Sequence, residues 1–138
     1  MNNAWDVVIL STEIESTRTL KETLSRNGMD ALWSYSISDC RQLLAERNIG
    51  LVFCDRFMMD GSYRDLLNVT RMLPRKVRVV VVSRSFDWDE YLADLRFGAF
   101  DVISSPCRPT DVEWTVSRVS RAEREASETE RLPQLQVH

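Results

Sequence analysis

Two observations predict an α/β domain built on a doubly wound parallel sheet. Short, apolar, β-rich runs recur five times along the chain, and a stretch with helical spacing follows each of them. The connections are short, which leaves right-handed crossovers with helices on both faces of one five-stranded sheet, a (βα)5 three-layer αβα sandwich.

Each element has its own local reason. Val7, Val8, Ile9 and Leu10 are consecutive and too few for a helix, so residues 5–10 are the first strand. Residues 15–27 place small or apolar groups at helical spacing, and Gly28 stops them as a C-terminal cap would. A short second strand covers 31–36, and Ser38 is the expected N-cap of a helix through Leu43, Leu44 and Ala45 to about Arg47. The third strand, 51–55, ends in Asp55, after which 56–61 read as loop and turn. A helix over 63–73 carries Leu66, Leu67, Val69 and Met72 until Pro74 interrupts it. The run 77–82 is the most apolar in the chain and is expected at the sheet centre, covered on both faces. A helix over 88–97 ends at Gly98, the last strand is 100–104, and Pro106 and Pro109 mark a rigid turn. Thr110 or Asp111 then opens a terminal helix expected to reach the mid-120s. Beyond it the chain turns polar, with Pro133 expected to break any helix. The division predicted is therefore a domain over 1–124 and a frayed tail or linker start over 125–138.

The bulk properties set limits on function. A chain of 138 residues can bury about 68–70% of its unfolded surface in one core. The 43% hydrophobic and 28% charged content is that of an ordinary soluble domain, and a net charge of -3 gives no basis for nucleic-acid binding by this chain alone. No apolar stretch approaches the roughly 18 residues of a membrane span, and residues 1–6 lack a secretory pattern, so the expected location is the cytoplasm with no membrane contact. Cys40, Cys54 and Cys107 are widely spaced, with His138 the sole histidine, so reduced, structural thiols are expected rather than a zinc site.

Asp55 is the most informative residue. A carboxylate at the carboxyl end of a buried strand lies where open α/β sheets place their chemistry. Asp55 followed by an Asp60-Gly61 turn and a helix, Ser83 ending the fourth strand, and Gly98-Ala99-Phe100-Asp101-Val102-Ile103 followed by Pro106 together resemble the receiver domain of bacterial response regulators. The resemblance covers about residues 5–123 and implies a flavodoxin-like, CheY-like sheet of strand order 2-1-3-4-5. It implies a phosphoacceptor role for Asp55 in two-component or phosphorelay signalling, with a histidine kinase or other signalling protein as partner. Ser83 falls on the hydroxyl that contacts the phosphoryl group. Asp55, Glu13 and the Phe57 backbone carbonyl would form the magnesium ligand set.

The chain departs from that pattern at most other positions. The acidic pair falls on Ser11 and Thr12, the lysine on Ser105, and the aromatic switch on Val102; Arg84 follows the fourth-strand hydroxyl. Magnesium needs charged oxygen ligands to compete with solvent, and each lost opposite-charge pair is worth about 4 kcal/mol at an effective dielectric near 20, before discounting. Weak magnesium binding and weakened or lost phosphorylation follow as expectations, the sequence thus resembling a degenerate, pseudo-receiver member. The alternative reading keeps Asp55 phosphorylated, with Glu13 and the hydroxyls as makeshift ligands. Arg56 and Arg84 flank the retained residues as candidate anion contacts, set against a reading in which both are solvated loop residues.

A flavodoxin-like cofactor carrier is the other class considered. The loop 11–17 contains no glycine and two glutamates, which argues against a flavin phosphate there. The fourth and fifth helices carry Phe86, Trp88, Tyr91, Leu92, Leu95 and Trp114, a stripe that reads first as core. Trp88, Tyr91 and Trp114 are also the candidate contacts of a homodimer through the fourth helix, fifth strand and fifth helix, the surface that the resembled family uses.

Overall fold

A computed structural model describes residues 5–136, with side-chain detail for residues 5–128. The chain runs through β1 (Asp6–Leu10), a 3-10 turn and α1 (Arg18–Arg26), β2 (Leu32–Ser34), α2 (Ile37–Glu46) and β3 (Ile49–Asp55). A hairpin of β4 (Phe57–Met58) and β5 (Gly61–Ser62) follows, then α3 (Tyr63–Arg71), β6 (Arg78–Ser83), α4 (Trp88–Phe97), β7 (Asp101–Ser104) and α5 (Pro109–Gln136). The main sheet has the order β2-β1-β3-β6-β7 with every pairing parallel, which is the expected 2-1-3-4-5 arrangement of its five strands.

Alternation along the central strands divides the core into two layers. Val8, Leu10, Val52, Cys54, Val79 and Val81 face α2 and α3 through Cys40, Leu44, Leu66 and Leu67. Val7, Ile9, Leu51, Phe53 and Val80 face α1 and α5 through Leu20, Leu24, Val112 and Val119. Both β3 and β6 are covered on both faces, as their unbroken apolar sequences require. The three cysteines are free and buried, and burial pushes the Cys40 and Cys107 thiols up to about 12 and about 11.

Four local expectations are corrected. Helix α2 is capped by Ser36, not Ser38: Ser36 has extended backbone and accepts from the Asp39 N–H. The Asp60 carboxylate takes the Ile37 and Ser38 N–H groups at 3.0 and 3.1 Å, so a side chain from the distant turn completes the cap. Residues 56–61 are not simple loop, since Phe57 pairs with Ser62 and Met58 with Gly61 in the small hairpin. Helix α5 continues past Pro133 to Gln136, beyond the mid-120s. Its polar extension contains Ala126 and several glutamates, good helix formers, and Pro133 stands in the last turn, where few hydrogen bonds depend on it.

The fourth correction concerns α4. Its aromatic and aliphatic groups do not form a buried stripe: Phe86 and Trp88 are exposed, Tyr91, Leu92 and Leu95 half-buried, and Asp94 is the residue it buries. The helix ends at Gly98, whose φ of +129° suits glycine, and an added Cβ would lie 2.8 Å from the Arg71 guanidinium.

The two-layer core makes Phe53 a sensitive position, because its ring is wholly buried on the α1/α5 side of the central strand. Phe53→Ala should cost about 3–5 kcal/mol in urea unfolding, whereas Met59→Ala, 93% exposed, should stay within about 0.5 kcal/mol. Equal losses at the two positions would contradict this placement of the core.

Candidate functional site

The carboxyl ends of β1, β3, β6 and β7 open into a cleft of about 460 Å³ lined by Thr12, Glu13, Asp55, Arg56, Ser83 and Arg84, among others. Ser105 closes its far side, just before the cis Ser105-Pro106 peptide bond. A hollow of similar size opens at the other end of the strands, around Trp5, Asp6 and Arg47. There the Asp6–Arg47 ion pair is exposed and no reactive carboxylate is gathered with hydroxyls, so the chemistry favours the Asp55 end.

Asp55 is half-buried at the floor of the cleft. Ser11, buried at the end of β1, donates its hydroxyl to Asp55 Oδ2 at 2.6 Å, and Ser11 Oγ in turn accepts the Glu13 N–H at 3.1 Å. Burial pushes the Asp55 carboxyl up from its ordinary value. The Ser11 hydroxyl, the Thr12 backbone N–H and the positive charge of Arg84 pull it back down, and the charge of Glu13 pushes it up again.

Around it, the flanking groups pair with one another. Arg84 forms an ion pair with Glu13 at the exposed mouth of the cleft. Ser83 Oγ donates to the Ser85 carbonyl at 2.7 Å, a local strand-end bond. Val102, at the position of the aromatic switch, is half-buried and packs against the core layer on the α2/α3 side. Arg56, expected as an anion contact, is taken up elsewhere: its guanidinium is bidentate on Asp94 at 2.9 and 2.8 Å and lies 3.3 Å from Glu90. Tyr63 donates its hydroxyl to the same Asp94 carboxylate at 2.5 Å. Sequence reasoning missed Asp94 and Tyr63; the available signal was an acid at helical spacing from Glu90 and Tyr91, among the half-buried groups of α4.

The donor set does not suit a magnesium ion. Ser11 is spent on Asp55, Glu13 is neutralised by Arg84, and among the described residues no three acidic, histidine or cysteine side chains come together for a metal. Aromatic side chains gather at the start of α4. Trp88 stacks on Tyr91 at 5.4 Å between ring centroids, with Phe86 at 5.6 Å from Trp88. Trp114 is 60% exposed on α5, one turn before Arg118, which pairs with Asp101 of β7 at 2.5 Å. Tyr91 reaches the same Asp101 at 3.5 Å, joining α4, β7 and α5 in one surface.

Sheet order, helix placement and a carboxylate at the end of β3 define the receiver-domain fold of response regulators. The chain is 26% identical over 99 residues to the response regulator protein PilR of Pseudomonas aeruginosa, a match that covers 72% of this chain and 22% of that protein. It thus spans about a fifth of the length of that relative. Among solved structures, a response regulator receiver protein from Pseudomonas putida matches with a TM-score of 0.72 at 22% identity, over 86% of this chain and 99% of the other. The beryllofluoride-activated NtrC4 receiver domain dimer matches with a TM-score of 0.76 at 16% identity, over 83% and 94%. No protein-family model matches the chain.

The raised carboxyl of Asp55 has a stability consequence. The folded chain binds this proton more tightly than the unfolded chain, so the charged form costs stability above the folded pKa. That cost fades as pH falls, and it is absent below the ordinary carboxylate value, where both states are protonated. Asp55→Asn should therefore melt higher than the native chain at pH 7, with the gain shrinking toward acid pH. A native chain that melts higher at pH 7 would contradict it.

Proposed function

We propose that the chain is an atypical receiver module of two-component or phosphorelay signalling, one that acts by protein–protein interaction with magnesium-dependent phosphorylation of Asp55 weakened or lost. The carrying observation is the pairing pattern around Asp55: serine, threonine and an Arg84-neutralised Glu13 stand where the receiver pattern has its acids, and Ser105 stands where it has its lysine. Phosphoryl transfer depends on charge stabilisation and positioning, so the loss of these groups removes most of the rate enhancement. On this reading the chain is a binding switch rather than an enzyme, and it works in the cytoplasm with a histidine kinase or another signalling protein. Among the described residues no helix is long and apolar enough to cross a membrane.

Incubation with acetyl phosphate and magnesium, followed by intact mass, tests this reading. Little or no gain of a phosphoryl mass is expected. Full, magnesium-dependent labelling that Asp55→Asn abolishes would establish the alternative, a receiver still phosphorylated at Asp55.

A homodimer through α4, β7 and α5 is the second part of the proposal. It is supported by the exposure of Trp88 and Trp114 and by the Tyr91, Asp101 and Arg118 contacts that hold this face together. The NtrC4 receiver, similar in fold, is a dimer in its beryllofluoride-activated form. Light scattering should show a dimer that Trp88→Ala combined with Trp114→Ala converts to monomer; a native chain that stays monomeric at high concentration would refute this.

A further inference from the structure

Helix α4 is held to the body of the domain through a buried carboxylate. The one residue it buries is Asp94, 1% exposed, and the carboxylate of Asp94 is gripped by Arg56, the residue that directly follows Asp55 in the chain. The grip is firm: two guanidinium N–H bonds, the Tyr63 hydroxyl as a third donor, and Glu90 one helical turn away as a second acid. Tyr63 is itself tied to Arg56, since its backbone N–H donates to the Arg56 carbonyl at 3.0 Å and its ring lies under the guanidinium at 5.5 Å. A planar bidentate pair fixes both distance and angle, so a displacement of the Arg56 backbone is passed on rather than absorbed.

Two positions that link acceptor and α4 in the receiver pattern are engaged differently here. The Ser83 hydroxyl is spent on the Ser85 carbonyl, and Val102 is an aliphatic core residue with no polar group to exchange partners. The ionic anchor and the aromatic face share one helix: Glu90 falls between Trp88 and the stacked Tyr91 in the sequence, and Asp94 is one turn beyond Glu90.

We infer that Arg56 and Asp94 are positioning residues that carry the state of Asp55 to the exposed aromatic face of α4. This deepens the receiver reading and rests on it only for the identity of the input.

The chain contains its own pair of witnesses. Trp33 donates its indole N–H to the Ser11 carbonyl at 3.1 Å, next to the Ser11 hydroxyl that holds Asp55, and so reports on the cleft itself. Trp88 reports on α4. In nitrogen-15 spectra of the indole N–H groups, Asp55→Asn should shift both signals when Arg56 and Asp94 are native. In a background of Arg56→Met with Asp94→Leu, where an apolar pair replaces the ionic one, the Trp33 shift should persist and the Trp88 shift should fall by at least half. Should that background fail to fold, Arg56→Lys keeps the charge while removing the bidentate fork and serves in its place.

A Trp88 shift undiminished in either background would overturn the inference, and so would a Trp88 signal silent to Asp55→Asn in the native background. The perturbation is a substitution, not a phosphodonor. A chain that takes no phosphoryl group can therefore still show the coupling, and a chain that is phosphorylated can still lack it.

Discussion

The burial of β3 on both faces and along both edges is the constraint from which the rest follows. From Ile49 to Cys54 every residue is buried, and the backbone is paired with β1 on one side and β6 on the other. A strand so enclosed tolerates polar groups only where it emerges, because an unpaired polar group within it would lose its water without compensation. Asp55 is the first residue at which β3 reaches solvent, and the ends of β1, β6 and β7 lie beside it around the same cleft. The cleft is thus a product of the sheet, and the residues at those four strand ends decide what it can do.

At those ends the charges have been redistributed. Asp55 is stabilised by neutral donors, the Ser11 hydroxyl and the Thr12 N–H, where the receiver pattern would surround it with acids and a metal. Glu13 and Arg84 cancel each other at the mouth. Arg56 is drawn away to Asp94, where a buried carboxylate needs a cation far more than the solvated cleft does, since breaking such a pair typically costs about 3–5 kcal/mol. The result is a receiver fold in which the most deeply buried of the ion-paired carboxylates, Asp94, anchors a helix instead of serving the acceptor.

The fold was largely legible because its signals are local. Val7 to Leu10 and Val79 to Val82 are strands by run length and β-branching alone, and Gly28 and Gly98 punctuate their helices as expected. The errors came where a distant partner overrode the local signal. Ser36 displaced Ser38 as a cap because Asp60 arrives from the hairpin to hold the Ser38 N–H. The apolar look of α4 suggested core, yet Asp94 took the buried position because Arg56 and Tyr63 were there to satisfy it. Arg84 was readable as a charge near the site, but its pairing with Glu13 joins residues 71 apart in the chain.

The sequence by itself determined the αβα architecture, the position of Asp55 at a strand end, and which of the receiver pattern's acids and bases are present or replaced. Those properties depend on residue identity and on periodicity within short windows. Only the tertiary structure decided which charges neutralise which: that Ser11 holds Asp55, that Glu13 holds Arg84, and that Arg56 serves α4 rather than the cleft. Pairing of that kind depends on burial and on which strand and helix ends meet in space, and an arginine's sequence neighbours do not reveal which of several carboxylates will be the one deprived of water.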